Sequence, residues 1–331
     1  MRLALTEASK GLGLTYPNPA VGAVLVKGRR LLSSGYHHRA GAPHAEILCL
    51  RGLAKPSAAR GATLYVTLEP CSTHGRTPPC TSAIAAAGIA RVVYGTTDPN
   101  PLHAGRADAI LLAAGVKVSH GILARECAAL NTAWNHWIAT GLPYVVAKAG
   151  MSLDGRIAPP PGRRWITGTA ARQDAMLLRA ASQAILVGGQ TVRTDNPRLT
   201  IRGLRVSEQP FRAVWTRAGN IPPSCHLLSD AHKDRTLIYT GKSLRNLLRD
   251  LGKRGVQQVL MEGGGRLLGE AFDRHLVHHV VFYIAPVLLG GPTPAVGGKG
   301  VASNSAAIRL VNVVHSTIGR DLKLEADVVP S

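Results

Sequence analysis

The 331-residue chain is poor in aromatic side chains, in acidic residues and in pairable cysteines. Phe, Trp and Tyr together make up 4%, so a stacking platform for single-stranded nucleic acid is poorly supplied. Five cysteines at irregular spacings argue against a disulfide framework and for reduced thiols or metal ligands. No apolar run approaches the ~20 residues that span a bilayer. The longest candidate, residues 280–291, is short and broken by Pro286. The first residues include Glu7 and Lys10 and no long apolar stretch. No signal peptide or membrane partner is therefore expected, and the expected compartment is the cytoplasm.

Acidic residues number 19 against 39 lysines and arginines, a net charge of +20. Such a balance attracts anions, whether phosphorylated metabolites or nucleic acid. The hydrophobic fraction of 45% is ample for a core, and the length suits two domains. Strand-like and helix-like runs alternate. Strands are expected at 20–26, 62–68, 91–95 and 116–119, and helices at 44–53, 81–87, 109–114 and 124–138. Gly141 and Pro143 end this first stretch. A second alternation follows, with strands at 144–149, 184–187, 212–215, 236–239, 257–261, 278–284 and 322–328, and helices at 170–181 and 266–273. The fold class is α/β, divided into domains 1–142 and 143–331.

The sharpest chemical signal is His44-Ala45-Glu46 followed by Pro70-Cys71 and Cys80. One imidazole and two thiolates make three zinc ligands and leave the fourth tetrahedral position to water, as in a catalytic site. The ion brings that water's pKa to roughly 7, so hydroxide is available at neutral pH. Glu46 is then no ligand but the proton carrier of the zinc deaminase signature. A structural zinc would need a fourth protein ligand, for which His74 is placed, but Glu46 would then have no task. Cys49, Cys127 and Cys225 read as buried thiols. The insert between Cys71 and Cys80 is polar and proline-stiffened, and its Arg76 is suited to an anion. In the second half, an expected strand runs through Glu262-Gly263-Gly264-Gly265 into a helix. That is the make-up of a phosphate cradle or of a purely structural glycine turn.

The run Glu69-Pro70-Cys71-Ser72-Thr73-His74-Gly75-Arg76-Thr77-Pro78-Pro79-Cys80 closely resembles the bifunctional riboflavin biosynthesis deaminase–reductases. So do Pro17-Asn18-Pro19, Gly35-Tyr36-His37, Asp98-Pro99-Asn100-Pro101, Ser152-Leu153-Asp154-Gly155, Trp165-Ile166-Thr167, Asp195-Asn196-Pro197 and Glu262-Gly263-Gly264. The matches keep the family's order from about residue 2 to about residue 325.

The resemblance implies a cytidine-deaminase-like domain followed by a dihydrofolate-reductase-like domain. It implies Zn2+ and NADPH as cofactors and a phosphorylated pyrimidine as substrate, deaminated and then reduced from ribosyl to ribityl. Asn18, His37, Asp98 and Asn100 would hold the pyrimidine, and Arg76 its phosphate. Arg163, Arg179, Leu199, Arg202 and Glu262 would face the reductase substrate. Gly150, Trp165, Thr191, Asp195, Arg217, Gly264 and Gly265 would hold NADPH. A homo-oligomer is also expected.

The chain departs from the family pattern at Thr73, usually histidine, and at Arg163, usually serine. Thr216 and Ala107 depart as well, and the stretch before Trp165 is about one residue short. Two further readings therefore stand beside the leading one. The first is a deaminase with a decayed or altered reductase. The second is a nucleic-acid base deaminase, which would bind RNA with steep salt dependence.

Overall fold

The computed structural model describes residues 1–73, 78–101, 103–159, 162 and 164–329. The chain forms two compact units, Met1–Thr140 and Gly141–Ser331. Arg76 and Arg163, expected to contact substrate, and the alternative ligand His74 lie outside the described residues. Among the described residues, no helix is long and apolar enough to cross a membrane.

The first unit is built on five strands: β1 (Gly22–Lys27), β2 (Arg30–Tyr36), β3 (Thr63–Leu68), β4 (Arg91–Thr96) and β5 (Lys117–His120). Their order is β2-β1-β3-β4-β5. The β1–β2 and β1–β3 pairs are antiparallel, whereas β3–β4 and β4–β5 are parallel. The parallel pairs need crossover helices, and Cys80–Ala86 and Arg106–Ala113 supply them. Leu25, Leu64, Val66, Ile84, Val92 and Leu111 fill the core.

Strand β2 was not expected from the sequence. Its residues Arg-Leu-Leu-Ser-Ser-Gly-Tyr are exposed or half-buried except for Gly35 and carry little apolar alternation. The chain reverses through Gly28, at φ +61°. Helix Arg2–Ser9 was also unexpected, and the stretch expected as one helix at 124–138 is two, Ala124–Leu130 and Thr132–Thr140.

Gly35 decides how a further helix sits. Helix Ala45–Arg51 lies directly over β2, and a Cβ at Gly35 would come within 2.7 Å of the Cys49 backbone nitrogen. Only glycine lets the helix approach this closely. The same helix carries Glu46 and has His44 as its N-cap residue.

The second unit has eight strands: β6 (Tyr144–Ser152), β7 (Ala184–Gly188), β8 (Phe211–Thr216), β9 (Thr236–Thr240), β10 (Gln258–Glu262), β11 (His279–Ala285), β12 (Leu310–Ile318) and β13 (Asp321–Val328). Their order is β12-β13-β11-β6-β10-β7-β8-β9. The strands from β11 through β9 in this order are parallel. The pairs β11–β13 and β12–β13 are antiparallel.

Central strands buried on both faces read as apolar runs, which is why β6, β7 and β10 were visible in the sequence. Strand β12 was not expected, because its residues are almost wholly exposed. Helices Gly189–Asp195 and Leu244–Lys253 were missed as well. After β10 the chain crosses to the other side of β6 to form β11. A parallel sheet offers its ligand crevice at the carboxyl ends of its strands, near such a reversal.

Candidate active sites

In the first unit, three elements converge. His44 precedes helix Ala45–Arg51, Cys71 follows β3, and Cys80 opens helix Cys80–Ala86. Their ligand atoms lie within 4.8 Å of one another. His44 Nδ1 is 3.5 Å from Cys71 Sγ and 3.3 Å from Cys80 Sγ. The Cys80 backbone N–H donates to Cys71 Sγ at 3.3 Å.

The Cys71 thiol is lowered, because the Cys80 thiol and His44 favour its thiolate. The Cys71 thiolate and burial in turn push Cys80 up. One imidazole, one ready thiolate and a second thiol are a donor set suited to zinc. Glu46 is buried beside them, and burial and Cys71 raise its carboxyl to about 6.

A cavity of about 320 Å³ opens on this cluster, large enough for a small ligand. Asn18, His37, His44, Glu46, Cys71, Asp98 and Asn100, all singled out in the sequence, line it. His37 Nδ1 lies 3.1 Å from the Pro43 carbonyl, which can only accept, so Nδ1 carries the proton. Nε2 therefore accepts from the Asn18 amide at 3.0 Å, which fixes the orientation of that amide. Burial lowers the His37 pKa and keeps the ring neutral. Asp98 is buried and its pKa raised by burial; its Oδ1 accepts the Asn100 N–H at 2.8 Å.

Four further lining residues were missed: Glu69, His103, Trp134 and Trp137. The carboxylate of Glu69 accepts the backbone N–H groups of Asp98, Gly105 and Ala107 at 3.0–3.1 Å. It thus ties the 98–107 loop to the end of β3. The two tryptophans stand three residues apart on one helix, in a chain with only four. That spacing puts them on one face and was the available signal.

In the second unit, Glu262 ends β10 and Arg179 clamps it. Arg179 Nε donates to Oε1 at 2.5 Å and its second fork nitrogen to Oε2 at 2.8 Å. The remaining fork nitrogen donates to the Thr200 carbonyl at 2.8 Å. Lys148 Nζ, the one charge within β6, lies 3.8 Å from Glu262 Oε2. Burial alone would raise the Glu262 carboxyl, but Arg179 and Lys148 outweigh it and hold it at about 2. The sequence singled out Arg179 and Glu262 separately and missed Lys148. A lone lysine in an apolar strand was its signal.

Beyond β10, Gly263 and Gly264 have φ of +71° and +78°, and helix Gly265–Asp273 follows. A Cβ on Gly264 would come 3.3 Å from Thr191 Oγ1, so this turn and Thr191 form one cradle. Glycines at a helix N-terminus fit a dinucleotide phosphate. Gly265 has a packing duty, since a Cβ there would lie 2.2 Å from the Pro294 carbonyl oxygen.

Gly150 lies in β6 beside Thr167. Trp165 is half-exposed, with the guanidinium groups of Arg164 and Arg172 near its ring. Leu199 is buried in a left-handed conformation, φ +51°. The pKa of Arg202 is lowered by burial and by Arg179 and Arg198. Burial raises Asp195, with Arg164 opposing. Arg217 is exposed just past β8, and no described contact joins it to the cradle.

Comparison with known proteins covers both units. The "Cytidine and deoxycytidylate deaminase zinc-binding region" family matches residues 1–96, and the "RibD C-terminal domain" family matches residues 143–324. The riboflavin biosynthesis protein RibD of Actinobacillus pleuropneumoniae is 39% identical, over 99% of this chain and 94% of that protein. A solved structure of Acinetobacter baumannii RibD superposes with a TM-score of 0.90 at 35% identity, covering 99% of this chain and 97% of the other. The diaminohydroxyphosphoribosylaminopyrimidine deaminase/5-amino-6-(5-phosphoribosylamino)uracil reductase of Thermotoga maritima gives 0.87 at 32% identity, with 99% and 97% covered. The architecture is therefore a cytidine-deaminase-like domain followed by a dihydrofolate-reductase-like one.

The Glu262 carboxyl is held below its ordinary value, so its stabilisation is present above the ordinary value of 4.5 and is lost as pH falls through about 2. Glu262→Gln leaves Arg179 buried without a counter-charge, which costs about 3–5 kcal/mol. Urea unfolding at pH 7 should show this loss, and the variant's stability should change less than the wild type's between pH 5 and pH 2.

Proposed function

This chain belongs to the RibD family of riboflavin biosynthesis proteins, and on that premise we propose how its residues divide the work of a bifunctional deaminase and reductase. The first domain, 1–142, removes the amino group of 2,5-diamino-6-ribosylamino-4(3H)-pyrimidinone 5′-phosphate by hydrolysis. The second, 143–331, reduces the ribosyl group of the product to ribityl. Support comes chiefly from the convergence of five further singled-out residues, Asn18, His37, Glu46, Asp98 and Asn100, on one cavity beside the His44, Cys71 and Cys80 cluster.

His44, Cys71 and Cys80 hold zinc. The ion, when bound, supplies a Lewis acid that makes water ionisable near neutral pH. Glu46 takes a proton from the water that attacks the pyrimidine carbon and returns it to the departing ammonia. Burial, which raises this carboxyl, makes it a ready proton acceptor as well as a proton carrier for both transfers. Asn18, His37, Asp98 and Asn100 hold the base, and Arg76 meets the phosphate.

In the second domain, Gly150, Trp165, Thr191, Asp195, Arg217, Gly264 and Gly265 hold NADPH, which supplies a hydride. Arg163, Arg179, Leu199, Arg202 and Glu262 form the substrate side. The fork of Arg179 is already taken by Glu262 and Thr200, so it acts there by fixing the Glu262 carboxylate.

The five cysteines are unpaired, which suits work in the cytoplasm. The expected homo-oligomer would form along β12. Leu310, Val311, Val313 and Val314 are exposed there, and among the described residues β13 is its sole strand neighbour. An uncovered apolar edge strand of nine residues invites pairing with a second copy.

Two measurements test this reading. Zinc-loaded protein given the diaminopyrimidinone ribosylamino phosphate and NADPH should yield a ribityl product by mass spectrometry. Glu46→Gln should slow deamination by at least ~10²-fold and leave reduction of the deaminated intermediate intact. A wild-type product that is deaminated but still ribosylated would mark the reductase as altered, and unchanged substrate would overturn the assignment. For the oligomer, light scattering should give a dimer or higher multiple, and Val313→Lys should shift it to monomer. A monomeric wild type would remove β12 as an interface.

A further inference from the structure

The deaminase pocket carries one polar side chain without a role in the account above, that of His103. It lies on the 98–107 loop and lines the cavity with Asp98 and Asn100. The loop's described residues are anchored at several points. Glu69 binds the N–H groups of Asp98, Gly105 and Ala107, and the His103 N–H closes a turn on the Asn100 carbonyl at 2.9 Å.

The His103 ring is held separately. Thr73 Oγ1 lies 3.1 Å from Nδ1, and among the described residues this is the ring's one hydrogen bond. The hydroxyl can donate or accept there; in the tautomer in which it donates to Nδ1, Nε2 carries the proton and is itself a donor.

His37, Glu46 and Asp98 are more than nine-tenths buried, and they surround the place where a pyrimidine would react. His103 is only partly buried, yet lies near enough to Asp98 to act on it electrostatically. With the base of a nucleotide seated against Asp98, His103 would stand close enough to meet its sugar-phosphate end.

We propose that His103 is a specificity-determining residue that donates a hydrogen bond to the ribose 5′-phosphate end of the deaminase substrate, with Thr73 as the positioning residue that holds its ring. The inference rests on the deaminase reading above and adds a phosphate-end contact to it. A donor to a phosphate oxygen strengthens binding of the tail and leaves the chemistry at the base untouched.

The test uses full-length, zinc-loaded protein and two substrates: the diaminopyrimidinone ribosylamino 5′-phosphate and its dephosphorylated counterpart. His103→Ala should raise KM for the phosphorylated compound about tenfold and leave kcat within about twofold. KM for the dephosphorylated compound should stay put. Thr73→Val should move the same KM in the same direction by less, and should add nothing to His103→Ala in the double variant.

An unchanged KM, or an equal rise for both compounds, would overturn the proposal and leave His103 a structural residue of the loop. If His103→Ala loses zinc, Thr73→Val decides, and an unchanged phosphate preference there overturns the proposal. If the wild type deaminates neither compound, the deaminase reading itself fails and takes this inference with it. A wild type that deaminates both alike contradicts the phosphate contact alone.

Discussion

The meeting of His44, Cys71 and Cys80 is the constraint on which the first unit depends. Each residue stands at the junction of a loop with a strand or helix, so the three sulfur and nitrogen atoms approach only if those elements pack in one way. Glycine at position 35 lets helix Ala45–Arg51 lie against β2. The parallel pairing of β3 and β4 puts both strand ends on the same side of the sheet, where Cys71 and the Asp98 loop begin. Glu69 then ties that loop back to the strand carrying the cysteine. Burial and the Cys71 thiolate raise Glu46, and the Cys71 thiolate and burial raise Cys80, so the anionic forms of all three groups are costly to gather there without a cation. A divalent cation reverses that penalty, which is how a metal site couples to folding.

The second unit solves a similar problem with fixed charges. Glu262 is buried and anionic, and Arg179 and Lys148 are the cations that keep it so. The pair is worth little as net stability, but removing one partner is costly. It places a permanent negative charge between two positive ones at the carboxyl end of the central strands, beside the glycine turn. The net charge of +20 acts at longer range. A phosphorylated pyrimidine and NADPH are both anions, and a basic protein draws them in.

Much of this was visible in the sequence, for physical reasons. The candidate metal cluster declares itself because few chemistries need histidine, glutamate and two cysteines in that order and spacing. Strands β3, β4, β6, β7 and β10 show as apolar runs because both of their faces are buried. Strands β2 and β12 do not show, because an exposed edge strand needs no apolar pattern. Glu69 and Lys148 were hidden for a different reason: each works through partners distant in sequence, Gly105 and Ala107 for one and Glu262 for the other. Arg179 was visible as a charged residue, but its commitment to Glu262 appears only once helix Thr169–Ala180 is laid beside β10. The glycine turn after β10 was readable in composition, whereas the separate packing duty of Gly265 against Pro294 was not.

The central claim is that three side chains hold the metal and leave one position open, with Glu46 beside it and not on it. X-ray absorption at the zinc edge of the zinc-loaded protein tests this most directly. The account predicts two sulfur neighbours at about 2.3 Å, one imidazole nitrogen at about 2.0 Å and one further light atom at about 2.0 Å. That light atom should persist in Glu46→Gln, because it is not the carboxylate. A second imidazole in the shell, or loss of the light atom in that variant, would contradict it.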